Sequence, residues 1–308
     1  MTLSPTPDRA SETHHLTVHH IVADRLRLLT RYVPSAYSRT ILIDGIRTHY
    51  LECGDGPPVV LLHDGSYGSS AELSWYPTIE ALGRSHRVIA PDWLGFGGTD
   101  KLHDFGGGRS RRLWHMTRFL EVMDLGTASF CGVSMGATLL LGVAAGDEFD
   151  WPIGAIVSIS GGGFIPLNDA RASTLDYDCT LEGMRKIVSN FVYDQTLLDD
   201  ERLVRARYES AIQPGAWEAV AAARFKSPLV PQRSEFGERD SISYERIDVP
   251  TLIVAGAEDR LRNPGYADEL VSRIPTAELL MFADCGHLPQ IEHPDRLNHA
   301  VTDFLGRL

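Results

Sequence analysis

Residues 130–145 read FCGVSMGATLLLGVAA, one serine between two glycines where a β-rich run gives way to an apolar helical run. Gly132-Val133-Ser134-Met135-Gly136 fits the G-x-S-x-G strand-to-helix elbow. That turn is so tight that side chains two positions either side of the serine collide with the neighbouring strand and helix. Glycine at both places removes the clash and raises Ser134 Oγ at the carboxyl edge of the sheet, where open α/β sheets bind ligands. The competing reading is a helix-capping serine; the strand, turn and helix context favours a nucleophile.

Outward from the elbow, short continuous apolar runs recur with helical or loop sequence between them: PVVLL (58–62), RVIA (87–90), ASFC (128–131), AIVSIS (155–160), TLIVA (251–255) and ELLMF (278–282). Such runs suit strands buried on both faces of a mostly parallel sheet. Ahead of them, RTILI and IRTHYLE flank Asp44-Gly45, a strong hairpin signal. The spacing breaks only between 160 and 251, where charged, mainly helical sequence predicts an inserted cap over 164–240. The expected division is an N-terminal arm over 1–37, a core over 38–163 and 241–308, and that cap. The arm holds an amphipathic helical pattern from Val18 to Tyr32 and the pairs His14/His15 and His19/His20, which are read as part of a solvated arm rather than as a metal site.

Composition narrows the function classes. With 308 residues, 43% of them hydrophobic, the chain can bury one large core. A formal charge of −12 disfavours nucleic acid and anionic membranes as partners. No apolar stretch approaches the ~18–20 residues of a membrane span. The amino terminus lacks a basic-then-apolar export pattern, and Cys53, Cys131, Cys179 and Cys285 lack metal-type spacing; both point to a cytoplasmic protein with buried thiols. The glycines of GFGG (95–98) and GGG (161–163) do not have dinucleotide-binding spacing.

A serine hydroxyl needs a base, and the base an orienting acid. Among twelve histidines, His287 falls in a loop just past the last strand, beside Gly286; His293 is the local rival. Asp259 falls just beyond the penultimate strand, with Glu258 as its rival, so the chain order is Ser…Asp…His. The oxyanion of acyl transfer needs preorganised N–H donors. The amide of Met135, at a helix amino terminus, is one candidate, and that of Gly65 in the loop His63-Asp64-Gly65-Ser66-Tyr67-Gly68 is the other. His63 is read as a brace for that loop.

The stretches LLHDGSYG, VIAPDWLGFGGTD, GVSMGA, LIVAGAEDR and CGHLPQIEHPDRLNHAVTDFL resemble the α/β-hydrolase fold, which implies a mostly parallel eight-stranded sheet flanked by helices with an inserted helical cap. The segment LVRARYESAIQPGAWEA (203–219) resembles the meta-cleavage-product hydrolases, which split carbon–carbon bonds in ring-fission dienones. That resemblance places a substrate-carboxylate arginine on Arg207, and substrate contacts near Ser66, Ser74, Val133 and Leu288. The branch usually has asparagine where this chain has Val133 and Ser74, and tryptophan where it has Leu288. These departures shift the expectation to an ester hydrolase for a small carboxylate-bearing substrate, with a monoalkyl phthalate as an example. Carbon–carbon hydrolysis of a 2-hydroxy-6-oxo-dienoate is the alternative, and a non-catalytic small-molecule receptor a third reading. No metal or organic cofactor is implied, and the branch suggests a homodimer. A serine at the elbow argues against dehalogenase and epoxide hydrolase chemistry, which uses aspartate there. Cap aromatics (Phe164, Tyr177, Phe191, Tyr193, Tyr208, Trp217, Phe225) line a pocket or pack the cap.

Overall fold

Asp44 and Gly45 both adopt left-handed backbone angles (φ 49° and 85°), as a two-residue hairpin turn of matching twist requires. They join β1 (Tyr37–Ile43) to β2 (Ile46–Cys53), the antiparallel start of the sheet. The computed structural model describes residues 33, 35–105, 108–222, 236–238 and 240–308. The predicted arm helix and the histidine pairs His14/His15 and His19/His20 lie outside the described residues.

Six further strands follow: β3 (Pro58–Leu62), β4 (Arg87–Pro91), β5 (Ala128–Val133), β6 (Ile153–Ile159), β7 (Thr251–Gly256) and β8 (Ala277–Phe282). Each overlaps one of the apolar runs. The order across the eight-stranded sheet is β1-β2-β4-β3-β5-β6-β7-β8, antiparallel at β1/β2 and β2/β4 and parallel from β4 onward. Central strands are buried on both faces: Val59 to Leu62 have no exposed surface, and all six residues of β7 are buried. The two edge strands expose apolar side chains, β1 at Tyr37 and Leu42 and β8 at Leu279 and Met281.

Helices α1 (Ala71–Leu82), α2 (Gly108–Met123), α3 (Met135–Ala144), α8 (Tyr266–Arg273) and α10 (Pro294–Leu305) flank the sheet, with the short α9 (Pro289–Glu292) leading into α10. Pro77 inside α1 leaves the helix ladder one donor short, and its carbonyl accepts from Asn298 Nδ2 of α10 at 2.9 Å, tying the two helices together. Asp92, fully buried after β4, accepts from His49 Nδ1, Ala71 N and Gly98 N, each at 2.7 Å. Burial would raise its pKa, but the His49 charge and these hydrogen bonds win and hold the carboxyl well below the usual range. The GFGG loop is thus a structural turn around Asp92.

Between β6 and β7 the chain forms α4 (Asp169–Leu175), α5 (Leu181–Phe191), α6 (Glu201–Ala211) and α7 (Ala216–Ala221), where the cap was expected. Asn168, Thr180 and Asp200 cap the amino termini of α4, α5 and α6 through their side chains. These helices pack on one another, and α6 reaches α1 of the core. Tyr67 of the core loop meets the rings of Tyr177 (5.0 Å) and Trp217 (6.4 Å), so these two aromatics serve the seam between cap and core. Tyr193 is exposed, and Phe225 lies outside the described residues. Cys53, Cys131 and Cys285 are buried thiols, whereas Cys179 is exposed, contrary to expectation.

Candidate active site

Ser134 has φ 53° and ψ −112°, a backbone conformation that an L-residue adopts only under constraint. The constraint is visible on three sides. A Cβ on Gly132 would run into the backbone of Gly136 and Ala137 on α3, and one on Gly136 into the carbonyls of Leu62 and His63 at the end of β3. Beyond β6, a Cβ on Gly161 would meet Ala137 and the Ser134 carbonyl. Ser134 N–H donates to Ile159 O at 2.8 Å, and Thr138 N–H returns to Ser134 O at 2.9 Å. The strained turn is therefore over-determined by the sheet beneath it.

Ser134 Oγ lies 2.8 Å from His287 Nε2, and His287 Nδ1 lies 2.6 Å from Asp259 Oδ2. Asp259 Oδ1 accepts from Leu261 N–H at 2.8 Å, which fixes the carboxylate plane. The imidazole and carboxylate are almost wholly buried, so their interaction is not screened by water. The loop carrying His287 is pressed against the cap: its N–H donates to Phe191 O at 2.6 Å, and a Cβ on Gly286 would clash with that same carbonyl. Both rivals have other duties. Glu258 Oε2 accepts from Cys285 N–H at 2.9 Å, and His293 Nε2 pairs with Asp284 O at 3.0 Å.

A cavity of about 160 Å³ opens on these residues, lined by Ser134, Met135 and His287 together with Asp64, Gly65 and Ser66 of the loop after β3. A Cβ on Gly65 would overlap the Met135 side chain, so glycine lets the two candidate oxyanion segments approach each other. The Ser66 hydroxyl is buried without a hydrogen-bond partner among the described residues. His63 braces this loop as expected: Nε2 accepts from Trp93 N–H at 3.0 Å, and Nδ1 donates to Asp64 O at 2.7 Å. Burial pushes its pKa down, against the pull of Asp92 and Asp64, in keeping with a neutral ring. Leu288 and Phe191 supply apolar lining.

Arg207 is placed otherwise than expected. It has no exposed surface and is not among the cavity-lining residues. Its Nη2 donates to Asp64 Oδ2 at 2.8 Å, and Ser74 Oγ donates to the same oxygen at 2.8 Å. Burial would raise the Asp64 pKa, but the Arg207 guanidinium beside it holds the carboxyl well below the usual range. The guanidinium expected to meet a substrate carboxylate is thus paired with a carboxylate of the protein itself. Ser74 and Val133 are likewise buried and absent from the lining.

Three arginines that sequence reading did not select do line the cavity: Arg109, Arg171 and Arg262. Arg262 stands three residues beyond Asp259, and a basic residue in the loop after the triad acid was the available signal. Among the described residues, no group of three or more His, Cys, Asp or Glu is placed to hold a metal ion, and no helix is long and apolar enough to cross a membrane.

Comparison with known proteins agrees with this frame. The Alpha/beta hydrolase family matches residues 59–300. A 2-hydroxy-6-oxo-6-(2'-aminophenyl)hexa-2,4-dienoic acid hydrolase of Metapseudomonas resinovorans is 32% identical over 89% of this chain and 92% of its own length. A 2-hydroxy-6-oxo-2,4-heptadienoate hydrolase of Pseudomonas putida is 31% identical over 89% of this chain and 98% of its own. Among solved structures, a meta-cleavage product hydrolase from Pseudomonas fluorescens superposes with a TM-score of 0.75 at 30% identity, covering 87% of this chain and 97% of that one. With the family match running from β3 into the last helix, this protein belongs to the alpha/beta hydrolase family, and its relatives there include meta-cleavage product hydrolases.

Proposed function

We propose that this chain hydrolyses a carbon–carbon bond in a meta-cleavage product, a 2-hydroxy-6-oxo-dienoate, by means of Ser134, His287 and Asp259. The observation that carries the reading is the hydrogen-bonded relay Oγ–Nε2 and Nδ1–Oδ2, in a chain 31–32% identical to hydrolases named for such dienoates. Ester hydrolysis, the leading expectation from sequence, has no comparable support among those relatives.

The chemistry follows from the substrate. Moving a proton from the 2-hydroxyl to carbon 5 of the dienol leaves ketones at carbons 2 and 6 with the alkene between carbons 3 and 4. His287 takes the Ser134 proton as Oγ attacks the carbon-6 ketone, and Asp259 orients the imidazolium. The amides of Gly65 and Met135 receive the oxyanion. Collapse breaks the bond between carbons 5 and 6; its electron pair passes through the alkene onto the carbon-2 oxygen, which takes the His287 proton and leaves as a dienol. Water, deprotonated by His287, then releases the acid from Ser134.

One observation favours the ester reading: Val133 and Leu288 leave the surroundings of the serine apolar. Measuring kcat/KM for a 2-hydroxy-6-oxo-dienoate and a monoalkyl phthalate with one preparation separates the two. A tenfold preference for the dienoate, ~1.4 kcal/mol in the transition state, is expected; a tenfold preference for the half-ester overturns the reading. Binding of both without multiple turnover would mean a receptor.

A further inference from the structure

The cavity wall made by α4 and the loop after Asp259 carries two arginines whose donors are not used up. Arg171 projects from α4, which is tied to that loop twice: Asn168 Nδ2 donates to Arg260 O, and Arg171 Nη2 to Leu261 O, both at 2.9 Å. Arg262 is only 5% exposed and lies over the Tyr266 ring, 4.2 Å from its centroid. Among the described residues, Arg171 Nε and Arg262 Nε and Nη2 are buried without a hydrogen-bond partner. The two guanidinium groups are close enough for each charge to bear on the other: burial and then Arg262 lower the Arg171 pKa, to about 10, which leaves it cationic at neutral pH.

Two mutually repelling cations, Arg262 buried and Arg171 half-buried, whose idle donors are out of water are costly unless an anion completes them. Among the described residues the protein has no acid to spare here. The one acidic lining residue, Asp64, is held by Arg207 and Ser74. Asp259 spends one oxygen on His287 and the other on the Leu261 amide. A planar carboxylate matches what is left, since guanidinium groups bind it through paired N–H donors.

We propose that Arg171 and Arg262 form the carboxylate-binding subsite of this cavity, taking over from Arg207, whose charge Asp64 already satisfies. The substrate is then an acid whose reacting carbonyl reaches Ser134 while its carboxylate lies between α4 and the loop after Asp259. This inference rests on the reading of the chain as a Ser134 hydrolase of carboxylate-bearing substrates, but not on which bond is cut.

The test uses activated esters, which report on the subsite even if no dienoate is cleaved. Hydrolysis of 4-nitrophenyl hemiglutarate and of neutral 4-nitrophenyl butyrate is followed in the wild type, Arg171→Gln, Arg262→Gln and Arg207→Gln. The ratio of kcat/KM, acid over neutral ester, is expected to fall at least tenfold in Arg171→Gln and in Arg262→Gln. Equal losses on both esters, or a ratio that collapses only in Arg207→Gln, overturn the proposal. Should the variants not fold, inhibition of butyrate ester hydrolysis by glutarate and by glutaramide in the wild type decides. Glutarate is expected to bind at least tenfold more tightly, and equal inhibition overturns the subsite. Failure to cleave the dienoate with the ester ratio intact would overturn the carbon–carbon reading alone.

Discussion

Arg207 and Asp64 are 143 residues apart in the chain and meet at 2.8 Å, both without significant solvent exposure. The pair joins the cap helix α6 to the loop that carries Gly65 and Ser66, beside the contacts of Tyr67 with Tyr177 and Trp217. Gly68 shares the seam, because a Cβ there would overlap the Arg207 carbonyl. Removing one partner strands the other's charge in the interior, which typically costs about 3–5 kcal/mol. Arg207→Met is therefore expected to be destabilised on that scale in urea denaturation, and Arg207→Met with Asp64→Asn to be destabilised less. A double variant at least as unstable as the single one would mean that packing by Arg207, rather than its charge, holds the seam.

The same pair sets a dependence on acid. The folded-state pKa of Asp64 lies below its unfolded value, so its contribution is fully present above the unfolded pKa, roughly 4, and is lost as pH falls toward the folded value. Asp92 acts in the same direction. The Tm of the wild type is expected to drop as pH goes from 5 to 2.5, and the gap between it and Asp64→Asn to narrow over that interval. A gap independent of pH would contradict the depressed carboxyl.

Ser134→Ala removes the proposed nucleophile and no part of the core. A loss of at least about a thousandfold in kcat is expected, with the fold and Tm retained, since removal of a triad member leaves only binding and oxyanion stabilisation. Near-normal turnover would remove Ser134 from the mechanism.

Asp259 and Glu258 are separable in the same assay. Asp259→Asn keeps the shape but disturbs the His287 tautomer, and a fall in kcat of about 10⁴ is the precedent in serine proteases. Glu258→Gln retains an oxygen for Cys285 N–H, so its loss is expected to stay within about tenfold. The reverse order would exchange the two acids.

Gly136→Ala tests the elbow. The added methyl would overlap backbone carbonyls at the end of β3, which have no free rotor with which to yield. A stability loss of at least about 1–3 kcal/mol, together with reduced kcat, is expected. Full stability would show that the elbow can open.

The fold and the grouping of Ser134, Asp259 and His287 were legible along the chain because both depend on local chemistry. Parallel strands buried on both faces must be short apolar runs, Asp44-Gly45 can supply two left-handed residues in a row, and the elbow needs glycine on each side of Ser134. Asp259 and His287 follow the ends of β7 and β8, and a regular sheet brings strand ends together whatever the loops contain. What tertiary structure alone decided is where the charges go. Asp64 and Arg207 lie on different layers, and only the seating of α6 on the core turned an expected substrate ligand into an internal ion pair. Arg171 and Arg262, 91 positions apart by their numbering, became neighbours because α4 is hydrogen-bonded to the loop after Asp259. Ion pairing follows from distance and burial rather than from sequence pattern, so the chain by itself marked out Ser134, Asp259 and His287, and the packed cap determined which arginines line the cavity beside them.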